Sequence, residues 1–434
     1  MFQLETAWDL PNKLSSQPSE HLLRVRISPQ RNANNASMPL HIALAIDTSS
    51  SMQGEKLQRA KEACRAVIAQ LRPIDRISLA GFATQVTSLL QNAPSNNVNR
   101  RISLASFATQ ITGLFQNAPS NNANREIDRL SANGVTRTDM ALDWIQRALP
   151  NTQGVVRVGI LITDGNATDS RGTIVENTRP LLDRATALAN AGITLCTVGL
   201  GNAANFNTEF LVNLSDRGQG AFLYADTTAN LEPLLRQRLT ACQSIAVAHA
   251  TLKLNLASGV KLTGFCRFRP DYLPLEESAK NELAIGILQS DRPTDILISL
   301  DVPPTGFGET IGNRQIVSLE LRGGGMSAPV TATATVNFTG SYAEAQQRHE
   351  EVDRDRLLWA INLNTTELTR TNDPKRTGDL LVNIQVNAIK ADQPNIAQQA
   401  AAQLEELEKA GKLNAHKTTG LLRDSRNLGG AWDV

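Results

Sequence analysis

The sequence predicts an α/β fold: a doubly wound, mostly parallel sheet inserted in a β-sandwich domain, with a C-terminal helical region. Three observations carry this. Between residues 40 and 242, short apolar runs alternate with amphipathic stretches, the pattern of strands and covering helices in a parallel sheet. After Cys242 a period of two takes over, with Leu252, Leu254 and Leu256 and then Val317, Leu319 and Leu321 separated by polar residues, the signature of half-buried strands. From Ser341 onward helix breakers are few.

Each element has its own argument. Leu23, Val25 and Ile27 alternate with Arg24 and Arg26, which predicts a half-buried strand ahead of the parallel sheet. His41 to Asp47 is nearly continuous in apolar residues, as a central parallel strand covered on both faces must be. Glu55 to Leu71 places Leu57, Ala60, Cys64, Val67, Ile68 and Leu71 on one stripe, a helix. Further strands are expected at 77–82, 156–163, 194–199 and 221–224, and further helices at 139–149, 174–191 and 231–240. Val330, Ala332, Ala334, Val336 and Phe338 close the sandwich, whose runs are separated by Pro303-Pro304-Thr305-Gly306 and Gly323-Gly324-Gly325. Helices are expected over 342–362 and 395–410, the latter stopped by Gly411. The expected domains are 1–39 (strands joining the sandwich), 40–242 (the α/β domain), 243–340 (the sandwich) and 341–434 (the helical tail). At 434 residues, division into several cores is expected.

Three oxygen-rich segments follow apolar runs: Asp47-Thr48-Ser49-Ser50-Ser51, Gly134-Val135-Thr136-Arg137-Thr138 and Asp164-Gly165. They supply carboxylates and hydroxyls without nitrogen or sulfur, a set suited to a small hard cation such as Mg²⁺. Asp47 and Asp164 end apolar runs, and doubly wound sheets bind ligands beyond the carboxyl ends of their strands. The plainer alternative is helix capping, since Ser, Thr and Asp accept free N–H groups at helix starts; capping alone does not require all three segments.

The D-x-S-x-S segment, the Thr in a Gly-containing loop and the Asp ending a buried strand resemble the metal-ion-dependent adhesion site (MIDAS) of von Willebrand factor A (VWA) domains, over roughly residues 40–242. The resemblance implies that Ser49, Ser51 and Thr136 bind a metal directly and that Asp47 and Asp164 act directly or through water. It implies Mg²⁺, or Mn²⁺ or Ca²⁺, with an open position for an Asp or Glu of a partner protein. The family usually has Gly where Ser50 and Val135 stand, and often Asn at Arg137. The layout of an A domain inside a sandwich is similar to the heavy chains of inter-alpha-trypsin inhibitors and related bacterial proteins. A different class of role is a subunit working beside a separate AAA+ ATPase, which some A domains resemble. A metal-assisted hydrolase is disfavoured, because beyond Asp139 and Asp169 the segments offer no general base.

Residues 76–100 are nearly repeated as 101–125, with 20 of 25 positions identical. Each copy reads as strand, tight turn, strand and Asn-rich loop. One copy has a place in the sheet; the other could extend an edge, form an outer hairpin or exchange between molecules, so two readings stay open, a tolerated duplication without a role and self-association through this hairpin.

Composition narrows the partners. Lys and Arg number 43 against 42 for Asp and Glu, a net charge of +1, which speaks against a nucleic-acid footprint. No apolar run approaches membrane-spanning length, and residues 1–13 lack the apolar core of a signal peptide. Cys64, Cys196, Cys242 and Cys266 are widely spaced and read as buried free thiols, so a cytoplasmic location is expected. His21, His41, His249, His349 and His416 are scattered, which gives a zinc site little support.

Overall fold

The computed structural model describes residues 2–30, 38–94, 121–305, 311–324, 326, 328–371 and 373–429. The chain forms two compact units, one from Met1–Ser37 and Ser244–Val434, the other from Met38–Gln243. The first unit begins with β1 (Phe2–Trp8), β2 (Asn12–Leu14) and β3 (Ser19–Pro29). The chain then enters the second unit: β4 (Leu40–Asp47), α1 (Glu55–Gln70), β5 (Arg76–Phe82), β6 (Val86–Pro94), α2 (Asn121–Asp128), α3 (Thr138–Ala148) and β7 (Val156–Thr163). It continues through α4 (Arg179–Asn190), β8 (Ile193–Leu200), α5 (Thr208–Arg217), β9 (Gln219–Ala225) and α6 (Leu231–Gln243).

Six strands of this second unit form one sheet in the order β6-β5-β4-β7-β8-β9. Only β6 runs antiparallel, against β5. The strands β4, β7 and β8 are buried at every residue, which is why they read as unbroken apolar runs. From β4 the chain steps outward through β5 and β6, then returns to place β7 against the other side of β4, with Ile46 beside Ile162. The carboxyl ends of β4 and β7 therefore flank the point where strand order reverses, the place such sheets reserve for ligands.

Several sequence expectations shift here. The helix expected from 174 begins at Arg179, with Pro180 in its first turn; residues ahead of it form a loop closed by a bridge between Thr168 and Ile174. The helix α5 was not anticipated; its start is set by Asn207, whose Oδ1 accepts the Phe210 N–H at 2.9 Å. The first copy of the repeat supplies the β5–β6 hairpin. Residues 101–120 of the second copy, and with them the expected extra hairpin and its role in self-association, lie outside the described residues. The described residues of that copy, 121–125, are not a loop but the start of α2, which buries Ala123 and Ile127 one turn apart.

His41 gives this unit a pH dependence. It is 3% exposed, with Nε2 3.0 Å from Ser78 Oγ. Burial, with Arg76 and Arg157 nearby, depresses its pKa from 6.5 to about 4. The unfolded chain then holds a proton that the folded chain refuses, so stability falls as pH drops from 6.5 towards 4. The loss at pH 5 relative to pH 7 should be about 2 kcal/mol. Asp47, described below, works in the opposite direction. Comparing urea unfolding of the wild type and His41→Gln at both pH values isolates the histidine: the variant should lack that loss, and parallel pH profiles would refute the assignment.

The chain returns to the first unit with β10 (Ile245–Leu256), β11 (Lys261–Arg269), β12 (Leu273–Pro274), β13 (Glu277–Ala279), β14 (Glu282–Gln289), β15 (Thr294–Val302), β16 (Gly312–Gly323) and β17 (Val330–Thr339). Two sheets result, ordered β1-β3-β15-β11-β12 and β13-β14-β10-β16-β17-β2. The N-terminal strands thus join the sandwich, with Leu23 paired to Ile298. Leu23, Val25, Ile27, Leu252, Ile298 and Leu319 belong to the core that includes both inner faces.

The C-terminal helices are α7 (Tyr342–Ala345), α8 (Glu350–Leu368), α9 (Pro374–Lys390), α10 (Pro394–Ala410) and α11 (Ala415–Arg426). The last four of them share a second core with Leu22, Cys266, Phe268 and Leu297 from the outer face of the first sheet. That sheet is covered on both sides, so β3 is not half-buried as its alternation suggested: Arg24 is only 6% exposed. It pairs with Asp355 of α8 at 3.1 Å and with Glu351 at 2.9 Å. The single helix expected over 342–362 is broken at 346–349, where the His349 N–H is drawn to the Asp9 carbonyl at 2.9 Å. Three acidic residues, Glu350, Glu351 and Asp353, then open α8, as the positive end of a helix favours. Among the described residues no helix is long and apolar enough to cross a membrane.

Candidate metal centre

The sheet brings the three oxygen-rich segments together. Asp47 is the last residue of β4, and Asp164 directly follows β7; both are fully buried. Beyond β4 the chain turns sharply, and the Ser49 N–H donates to Asp47 Oδ1 at 2.8 Å. This turn places Ser49 Oγ 3.0 Å from Ser51 Oγ. Ser51 Oγ in turn donates to Asp164 Oδ1 at 2.7 Å.

The second segment is tied to the first by backbone. Asn133 N–H donates to the Thr48 carbonyl at 2.8 Å, and Ser50 N–H and Oγ both donate to the Gly134 carbonyl at 3.1 and 3.2 Å. Ser50, where Gly is usual in the resembling family, therefore adds a second tie to the loop. Gly134 must be glycine: its φ is +88°, and a Cβ there would stand 2.3 Å from Thr84 Oγ1. Val135 packs against Gly172, whose added Cβ would lie 3.0 Å from Val135 Cγ1. The Thr136 carbonyl accepts the Thr168 N–H at 2.8 Å, which joins the third segment's loop to the second.

Thr136 Oγ1 and Ser51 Oγ both border Gly165: a Cβ built there would lie 3.7 Å from each. Arg137 does not point free beside this cluster; its guanidinium grips Asp139 at 2.8 and 2.6 Å.

Two neighbours of the cluster escaped the sequence reasoning. Thr163 Oγ1 donates to Asp47 Oδ2 at 2.6 Å, so both carboxylate oxygens are held. The Lys56 ammonium donates to Asp164 Oδ2. A signal for Lys56 was present: a cation in the first turn of α1 opposes the helix dipole and calls for an anion nearby.

Electrostatics and donor chemistry fit a divalent cation. Burial pushes the Asp47 carboxyl up to about 6, despite hydrogen bonds from Thr163 and Ser49, with the Asp164 charge adding to the rise. A buried carboxylate held by neutral donors gains most from a nearby cation. Around an octahedral ion with bonds of about 2.1 Å, adjacent ligand oxygens stand about 3.0 Å apart. The Ser49–Ser51 hydroxyl spacing equals that edge. Among the described residues no group of three or more His, Cys, Asp or Glu could hold a metal, so a centre there draws on hydroxyl oxygens.

Comparison with known proteins agrees with this architecture. The family model for the von Willebrand factor type A domain matches residues 41–237. An uncharacterized protein of Synechocystis sp. is 25% identical over 289 residues, covering 65% of this chain and 62% of that protein. An inter-alpha-trypsin inhibitor heavy chain of Homo sapiens is 26% identical over 205 residues, covering 45% of this chain and 20% of its own. The chain thus spans less than two thirds of either relative. Among solved structures, a von Willebrand factor type A protein from Catenulispora acidiphila superimposes with a TM-score of 0.75 at 15% identity, over 98% of this chain and 96% of that one. This last likeness is one of fold.

Proposed function

We propose that this chain, which carries a von Willebrand factor type A domain over residues 41–237, is a metal-dependent protein-binding module. VWA domains are often such modules. Ser49, Ser51 and Thr136 would hold Mg²⁺ (or Mn²⁺ or Ca²⁺), with Asp47 and Asp164 balancing its charge directly or through water. The bound metal supplies an electrophilic position that an Asp or Glu of a partner protein completes. The observation that carries this reading is the hydroxyl pair Ser49–Ser51 at 3.0 Å, backed by Asp164 at 2.7 Å from Ser51.

The surroundings favour binding over hydrolysis. Asp139, a spare carboxylate in the second segment's loop, is engaged by Arg137, which holds its pKa below the usual range. The backbone N–H groups of Thr173 and Arg171 do the same for Asp169. Neither is poised to accept a proton at neutral pH. The loops at 52–54, 135–137, 166–170 and 201–207 border the site and would set specificity. A cytoplasmic location remains part of this reading, on the composition alone.

The test is relaxation of water protons with Mn²⁺ as the probe. Mn²⁺ bound with an open position should enhance water relaxation, and a glutamate-containing peptide should reduce that enhancement by displacing exchangeable water. Bound Mn²⁺ that leaves water relaxation unenhanced would contradict an open position.

A further inference from the structure

Lys56 is the second residue of α1, where a cation faces the positive end of the helix dipole. Its ammonium nevertheless reaches Asp164 Oδ2 and, at 3.3 Å, the Ser51 carbonyl. The Lys56 side chain is 27% exposed, while that of Asp164 is fully buried. Asp164 Oδ1 accepts from Ser51 Oγ at 2.7 Å. One carboxylate is therefore divided: one oxygen faces the hydroxyl cluster, and the other faces a tethered cation.

Charge counting gives this division a consequence. Asp47 and Asp164 bring two negative charges to the cluster, and Lys56 returns one positive charge. A divalent cation that would neutralise two carboxylates instead leaves an excess of one positive charge. We infer that Lys56 is a built-in counter-cation that weakens the resting affinity for a divalent metal and couples metal binding to an incoming carboxylate. That carboxylate restores neutrality, so metal and acidic ligand strengthen each other's binding by the same factor. The inference rests on the metal-binding reading above and names how that site is regulated.

Calorimetric titration of Mg²⁺ into metal-stripped wild type, Lys56→Gln and Lys56→Met tests it, with circular dichroism as the check on folding. Both variants remove the charge, and Met keeps the alkyl stem. Mg²⁺ should bind both variants about tenfold more tightly than the wild type. Acetate, used as a carboxylate probe, should raise Mg²⁺ affinity more in the wild type than in the variants. A measurement on the unaltered chain guards against misfolded variants: Mg²⁺ should loosen the Lys56–Asp164 pair and speed acetylation of Lys56, read by peptide mass spectrometry. Folded variants that bind Mg²⁺ no more tightly than the wild type would overturn the role of Lys56 and leave the metal reading standing. Unchanged acetylation of a wild type that binds Mg²⁺ would overturn it as well. Absence of Mg²⁺ binding in all three proteins would instead sink the metal reading, and this one with it.

Discussion

Asp47→Asn is expected to weaken Mg²⁺ binding by roughly 100-fold or more, equivalent to about 3 kcal/mol, while leaving the fold intact. The amide keeps the shape of the carboxylate and one oxygen able to accept the Ser49 N–H or the Thr163 hydroxyl, now at 2.8 and 2.6 Å. What it removes is a fully buried negative charge at the end of β4. In the metal-free protein that charge is a burden: burial raises the Asp47 pKa to about 6. Between about pH 4 and 6 the folded state holds a proton that the unfolded state releases, so Asp47 favours folding less as pH rises. Metal-free Asp47→Asn should therefore melt at or slightly above the wild-type temperature at pH 7, and Mg²⁺ should stabilise only the wild type. Loss of Mg²⁺ binding with an intact melt assigns the effect to the site. An unchanged Mg²⁺ affinity would remove Asp47 from it.

Asp355→Ala should produce the largest loss of stability in the sandwich-containing unit, about 3–5 kcal/mol. Asp355 lies on α8, with its side chain 2% exposed, and bonds Arg24 of β3 at 3.1 Å and Arg269 of β11 at 2.7 Å. The Arg24 side chain is 8% exposed and that of Arg269 12%, so both cations are largely shielded from water. Removing the carboxylate leaves Arg269 to Asp295 and Arg24 to Glu351, an exposed partner. Two largely desolvated cations then share less compensation, and the cost of their desolvation is exposed. Glu351→Ala, by contrast, removes a partner whose side chain is 55% exposed and should cost under about 1 kcal/mol. Scanning calorimetry of both variants checks the ordering; because two units unfold, their transitions are fitted separately. Mg²⁺ titration of Asp355→Ala should match the wild type, since the proposed ligands all belong to the other unit.

The sequence made some of this architecture legible and hid the rest for physical reasons. Strands β4 and β7 announced themselves because a central parallel strand is apolar on both faces, and each ran straight into the carboxylate that its end presents. Ser49 and Ser51 were legible by adjacency to Asp47, and Thr136 by its place in a Gly-containing loop. Thr163 was not, and Lys56 showed only as a cation at the wrong end of a helix: the carboxylate each one bonds is distant in sequence, 108 positions for Lys56 and 116 for Thr163. The helix α8 buries Val352, Leu358, Ile361, Asn362 and Thr365, polar and apolar together, so its sequence shows no clean stripe. The helix α11 buries Thr418, Thr419, Ser425 and Arg426, residues that composition alone assigns to the surface. The double covering of β3 was hidden for the same reason, since its second partner is a set of charges on a helix more than 300 residues away.

The most direct test of the central claim is calorimetric titration of Mg²⁺, and then Mn²⁺, into the metal-stripped full chain at neutral pH. The account predicts binding at about one equivalent, weakened roughly 100-fold or more in Asp47→Asn and tightened in Lys56→Gln. Absence of binding for both ions, in the wild type and in Lys56→Gln alike, would contradict it.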